Sequence, residues 1–254
     1  MNYFVEGLQG SGKSTLVQRL SEKYPDCTAV REGDYSPVEL AWCAFMSEEQ
    51  YSDILAQWPG LREQIIQKTH KEGDHRILCY TQVKSEDRAF YAQLENYEIY
   101  NGRTSFEHYR DIVLTRYRNW QGDSSIFECS LLQNAVEDMI LFRDMSDEAI
   151  LDFYKDVREA LGGKAFEIYY IEAPDIGKNL DAVRRERVDE KGNEVWFNML
   201  MDYFVHSPYA VKRSLKTDED LLAHLGHRQA LELRICRELF EEKLTVLRSK
   251  AYEL

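Results

Sequence analysis

The chain has 254 residues, enough for one large domain or two small ones. With 44% hydrophobic and 30% charged residues it has a globular composition, and neither disorder nor low complexity describes it as a whole. The 32 basic against 45 acidic residues leave a net charge of -13, which makes a general nucleic-acid binder a poor expectation.

No apolar run approaches the roughly 18 residues of a membrane helix. The five cysteines, Cys27, Cys43, Cys79, Cys129 and Cys236, form no CxxC pair and suit reduced thiols better than a disulfide framework. Structure is expected from the first residues, with no leader peptide. A cytoplasmic protein is therefore expected.

Tyr3, Phe4 and Val5 predict a short first strand. Gly7-Leu8-Gln9-Gly10-Ser11-Gly12-Lys13-Ser14 follows, with Thr15 next, matching GxxxxGK[ST]. Leu16, Leu20 and Tyr24 then recur every fourth residue, as on a buried helix face. Strand, glycine loop and helix together point to a phosphate site. Gly7, Gly10 and Gly12 let the backbone wrap a phosphate chain, and amides from Ser11 to Thr15 sit at the positive end of the helix. Lys13 would meet the β- and γ-phosphates, and Ser14 would hold Mg²⁺. A nucleoside triphosphate is the expected ligand.

Thr28 to Glu32 predicts a second strand, with Glu32 at its end and Asp34 just after. Helical patterns run over roughly 37–70, broken at Pro59-Gly60, and 76–81 predicts another strand. Over 104–120 a helix is expected, capped by Thr104 and Glu107, with Phe106, Tyr109, Val113, Tyr117 and Trp120 on one face. Ser125-Ile126-Phe127-Glu128 predicts a strand ending in an acid, and two helices follow. The clearest strand of the second half is 166–171. A long amphipathic helix over about 226–243, its Glu- and Arg-rich face expected in solvent, leads to Leu244-Thr245-Val246-Leu247, either its end or a closing strand.

Such alternation predicts a mainly parallel sheet with helices on both faces and helical insertions, and together with the GxxxxGK[ST] loop the expected fold is an α/β three-layer sandwich of the P-loop NTPase type. It reads as one domain over 1–254, with 37–120 as a helical insertion and acceptor region. Ligands of such sheets sit at the carboxyl ends of the strands, where Glu32, Glu128 and Glu172 fall. Glu128 reads as the carboxylate that holds Mg²⁺ directly or through water; a helix N-terminal acid is its plain alternative. Glu32 or Asp34 would take a proton from an acceptor hydroxyl, although Gly33-Asp34-Tyr35-Ser36-Pro37 is also good turn chemistry.

Gly7 to Thr15, the acid-ended second strand with Pro37-Val38 and Trp42 downstream, and Glu128-Cys129-Ser130 together resemble the deoxynucleoside kinase and thymidylate kinase branch of P-loop kinases. Arg184-Arg185-Glu186-Arg187 adds to the likeness. The resemblance implies Glu32 as general base, Glu128 as the Mg²⁺-linked acid, and Arg184 and Arg187 as arginines of a lid over 176–200, with its tip at 189–193. Ser249-Lys250-Ala251 would lie beside the adenine. Two departures stand out: Cys129 occupies the position where that branch usually carries Arg, and Pro37-Val38 lies five residues beyond Glu32 instead of adjoining it. Chloramphenicol phosphotransferases share the same core, so a nucleoside, a nucleotide or an antibiotic-like alcohol all fit as acceptor. Trp42, Tyr35, Tyr109, Arg116, Gln133 and Asn134 are expected near it.

No HExxH, GxSxG or NKxD motif is present, and His224 and His227, one turn apart, have no cysteine at zinc spacing. The expected activity is an ATP- and Mg²⁺-dependent phosphotransferase acting on a small-molecule acceptor, with neither nucleic acid nor membrane as partner and a homodimer compatible with the sequence. The alternative is a P-loop ATPase that works as a regulatory, partner-binding switch.

Overall fold

A computed structural model of the chain describes residues 1–122 and 124–249. The chain divides into two compact units: Met1–Ala29 with the chain from Gln121 on, and Val30–Trp120.

The first unit opens with strand β1 (Asn2–Gly7), helix α1 (Lys13–Lys23) and strand β2 (Thr28–Val30), whose last residue begins the second unit. The second unit holds β3 (Ala44–Ser47), α2 (Glu48–Gln57), α3 (Arg62–Gln67), β4 (Thr69–Glu72), β5 (His75–Leu78), α4 (Arg88–Glu95) and α5 (Phe106–Asn119). The chain then returns to the first unit through β6 (Ser125–Glu128), α6 (Gln133–Leu141), α7 (Asp147–Leu161), β7 (Phe166–Glu172), α8 (Ile176–Glu186), α9 (Val195–Val205), α10 (Pro208–Arg213), α11 (Asp218–Leu239) and β8 (Leu244–Arg248).

The first unit is α/β, with a five-stranded, all-parallel sheet in the order β2-β6-β1-β7-β8. β1 sits at its centre, pairing Val5 with Glu128 on one side and Gly7 with Ile171 on the other. Because side chains alternate along a strand, β1 serves both faces. Tyr3 and Val5 pack with Leu16, Val17 and Leu20 of α1. Phe4 faces the other way, stacking on Phe127 at 5.0 Å and meeting Phe166 edge-on; Phe166 in turn meets Phe240 beyond the end of α11. Helices therefore cover both faces, and β8 closes one edge as the sheet's fifth strand.

The second unit has its own antiparallel sheet, β3-β5-β4, and its own core of Met46, Ile54, Ile65, Leu78, Tyr80, Phe90 and Leu94. The stretch 37–70 differs from its helical expectation: residues 37–43 are irregular, and β3 and β4 flank α2 and α3. Short runs such as Thr69-His70-Lys71-Glu72 carry no apolar alternation, so their pairing with β5 decides their state. The N-cap of α5 lies one residue later than predicted. Ser105, not Thr104, accepts the amide of His108, as an N-cap hydroxyl does. Glu32 is not strand-terminal either: β2 stops at Val30, and the Asp34 amide closes a turn onto the Arg31 carbonyl at 3.0 Å.

No helix among the described residues is long and apolar enough to cross a membrane.

Candidate nucleotide-binding site

Strand order reverses around β1: the strands that follow it first in the chain, β2 and β6, lie on one side, and β7 and β8 on the other. Such a switch point opens a crevice at the strands' carboxyl ends. The 7–12 loop leaves β1 at that point. Gly7, Gly10 and Gly12 take φ values of 138°, 74° and 106°, a region where only glycine is unstrained. Two of them are also fixed by close approach. A Cβ on Gly7 would fall 2.5 Å from the Ile171 carbonyl oxygen, and one on Gly10 1.7 Å from Val183 Cγ2 of α8.

The loop delivers Lys13 and Ser14 to the first turn of α1, with Gly12 at the N-cap. Lys13 is buried, and its Nζ donates to the carbonyls of Gly7 and Leu8 at 2.9 and 2.8 Å. The ammonium is thus held inside the curl of its own loop. Ser14 Oγ donates to Glu128 Oε1 at 2.5 Å, joining the start of α1 to the end of β6. A serine hydroxyl and a carboxylate are hard oxygen donors of the kind Mg²⁺ takes, with waters and phosphate oxygens completing its shell. The donor set fits that ion. Among the described residues no group of three His, Cys, Asp or Glu side chains could hold a metal ion.

Three elements grip the loop from outside. Asn179 of α8 donates to the Gln9 carbonyl at 2.8 Å, Ser249 Oγ donates to the Ser11 carbonyl at 2.9 Å, and Arg228 of α11 donates to Gln9 Oε1 at 2.7 Å. Of the predicted adenine segment only Ser249 is described; Lys250 and Ala251 lie outside the described residues. Asn179 and Arg228 escaped sequence reasoning. Asn179 had a signal, because α8 starts at the carboxyl end of β7, beside the loop. Arg228 had none, lying in a run of charge that reads as solvent face.

That solvent-face reading is corrected by the structure. Arg228 and Glu232 of α11 are both wholly buried. The guanidinium meets Glu137 of α6 at 2.9 Å and Glu232 at 3.3 Å, and His224 Nε2 also lies 2.9 Å from Glu137. Burial alone would raise Glu137, but the charge of Arg228 and the contact with His224 hold it down to about 2. Burial pushes Glu232 up despite Arg228, and Glu232 accepts the Tyr170 hydroxyl at 2.6 Å. Arg234 and Glu238, further along, do form an exposed pair. His227 pairs with Asp147.

Glu6, the residue before Gly7, is also fully buried and takes the amides of Leu131 and Gln133 at 2.7 and 3.2 Å. Burial lifts its pKa to about 7. Its bonds fix the turn that follows Glu128, where Cys129 adopts φ 60° and donates its amide to the Val5 carbonyl.

The predicted lid arginines are engaged. Arg184 pairs with Glu194 at 2.7 Å and Asp218 at 3.1 Å and lies 3.7 Å over the Phe197 ring. Arg187 lies over Trp196 at 4.8 Å. In the predicted tip, Asp189 takes amides from Lys191 and Asn193.

Glu32 and Asp34 belong to the second unit. Glu32 is exposed and takes the indole N–H of Trp42 at 3.2 Å; Trp42 itself is half-exposed at φ 60°. Asp34 accepts from the Arg31 amide at 2.9 Å and the Gln82 side chain at 2.8 Å, which leaves it a turn-forming acid as well as a candidate base. Tyr35, Tyr109 and Arg116 are in the same unit. Tyr35 stacks on His70 and donates to Glu72, burial raising its pKa to about 12, and Arg116 bonds Glu72 and the Ser36 carbonyl. Tyr109 is core. Gln133 and Asn134 instead open α6 in the first unit.

The first unit thus brings together Gly7, Gly10, Ser11, Gly12, Lys13, Ser14, Thr15 and Glu128 around one helix terminus. No family model matches the chain, and no curated protein matches its sequence.

Proposed function

We propose that the chain is a P-loop phosphotransferase that uses ATP and Mg²⁺ to phosphorylate a small-molecule acceptor. One observation carries the reading: the Ser14–Glu128 bond sits at the first turn of α1, at the point where strand order reverses around β1. A hydroxyl from the first turn of α1 and an acid from the end of β6, beside a glycine loop with a buried lysine, form an arrangement suited to a metal–triphosphate.

In this reading the amides of residues 10–15 bind phosphate oxygens, supported by the positive end of α1. Lys13 exchanges two carbonyl contacts for phosphate contacts, which strengthen as charge develops on the transferring group. Ser14 and Glu128 would hold Mg²⁺, which when bound neutralises charge on the phosphates. Glu128 is kept in place by the turn that Glu6 secures. The resemblance makes Glu32 the group that takes the acceptor proton, with Asp34, just beyond the second strand in the sequence, as the alternative, and the acceptor is a nucleoside, a nucleotide or an antibiotic-like alcohol.

A slow ATPase acting as a switch is the second reading. What favours it is the engagement of Arg184 with Glu194 and Asp218, which occupies a side chain that a kinase lid would turn on phosphate.

Mass spectrometry of a metabolite and antibiotic pool incubated with protein, ATP and Mg²⁺ separates the two. A compound that gains one phosphoryl group with the native chain and not with Lys13→Ala is the expected result. Release of ADP and phosphate with no modified compound supports the switch, and unchanged transfer by Lys13→Ala removes both readings.

A further inference from the structure

Gln9 stands at a variable position of the loop motif, yet it is held at both its main chain and its side chain. Asn179 donates to its carbonyl and Arg228 to its side-chain oxygen. The second bond comes from a costly source. A guanidinium with no exposed surface needs compensation, and Glu137 and Glu232 supply it at 2.9 and 3.3 Å. Among the described residues, however, Arg228 Nη1 and Nε have no aligned hydrogen-bond acceptor. The aligned donor is Nη2, and it points at Gln9 Oε1 at 2.7 Å.

We propose that Arg228 is a positioning residue of the phosphate-binding loop, holding it in a preformed curl through Gln9. The anchor runs from α6, through Glu137 and Arg228 of α11, to the loop. α6 follows the Glu128 turn directly, so the same helix supports both the acid and the loop. Preformed loops lose less freedom when phosphate binds. The role deepens the proposed phosphate site and rests on it for its purpose, although the positioning itself can be read without any ligand.

Arg228→Ala would leave two buried acids without their cation and is a poor probe, because it threatens folding. Gln9→Met keeps side-chain bulk and removes the acceptor, and Gln9→Glu returns one. Backbone hydrogen exchange over residues 7–13 of the full chain, free of nucleotide, is the first readout. A charge-assisted bond to a buried guanidinium predicts exchange faster by about tenfold or more in Gln9→Met. Gln9→Glu should stay near the native rate, and exchange in β7 should not change. A loop that merely needed bulk would exchange alike in native and Gln9→Met protein, and that result overturns the proposal.

Inorganic tripolyphosphate with Mg²⁺ is the second readout. Binding by native protein that weakens about tenfold in Gln9→Met supports the role; equal binding by the two overturns it. Faster loop exchange in Gln9→Met, with no tripolyphosphate bound by native protein, would keep the positioning role and reject the phosphate site.

Discussion

Ser14 and Glu128 meet only because β1 and β6 run side by side, with Val5 opposite Glu128. Glu128→Gln preserves that geometry, since an amide oxygen still accepts from Ser14, but it removes the charge that a divalent cation needs. For the proposed phosphotransferase, turnover measured against Mg²⁺ concentration should fall by about two orders of magnitude, a loss typical of removing one electrostatic contributor to the transition state. Thermal stability should hardly move. The pair was half legible in the sequence: the loop motif named Ser14, and two apolar residues before an acid named Glu128. Arg228 was illegible, because burial of a charge is decided by partners distant in the chain, here Glu137 and Gln9, and not by its neighbours.

At the scale of elements, α8 and the loop are fitted to each other. Gly10→Ala would place a methyl group inside the Val183 side chain and force a left-handed backbone at φ 74°. Overpacking and backbone strain together predict a loss of about 2–4 kcal/mol in chemical unfolding. Added to Val183→Ala, which has its own cavity cost, Gly10→Ala should cost only the backbone share. No further cost in that background would show that φ does not matter there, and the same cost as in the native chain that α8 does not press on the loop. Elements with strong local patterns were legible: α7 buries Ile150, Tyr154, Val157 and Leu161, spaced by four, three and four, and β6 and β7 fall where expected. β3 and β4 were not. Their residues lack an apolar alternation, and an antiparallel partner fixes them.

For the molecule as a whole, buried acids shape the response to pH, Glu6 and Glu39 among them. Glu6 in the first unit and Glu39 in the second each rise from an ordinary 4.5 to about 7, burial being the main cause. In the unfolded chain both lose their protons near 4.5, whereas in the folded chain they keep them until about 7. Between these values the folded state binds more protons, so stability falls as pH rises. Each group contributes up to about 3 kcal/mol, fully present below 4.5 and lost above 7. Melting temperature should therefore drop between pH 5 and 8, and Glu39→Gln should flatten part of that slope. A flat profile in the native protein would contradict the burial of both charges. None of this was visible in the sequence, where Glu6 reads as an ordinary residue at the end of a strand.

The proposed metal–triphosphate site of the glycine loop, Lys13 and Ser14 is tested by calorimetric titration of ATP into the native chain and into Lys13→Ala, each with and without Mg²⁺. One site per chain is expected, tighter with Mg²⁺ and weakened at least about a hundredfold by the substitution, as removal of a desolvated charge pair implies. ATP that fails to bind the native chain, or binds Lys13→Ala equally well, would contradict it.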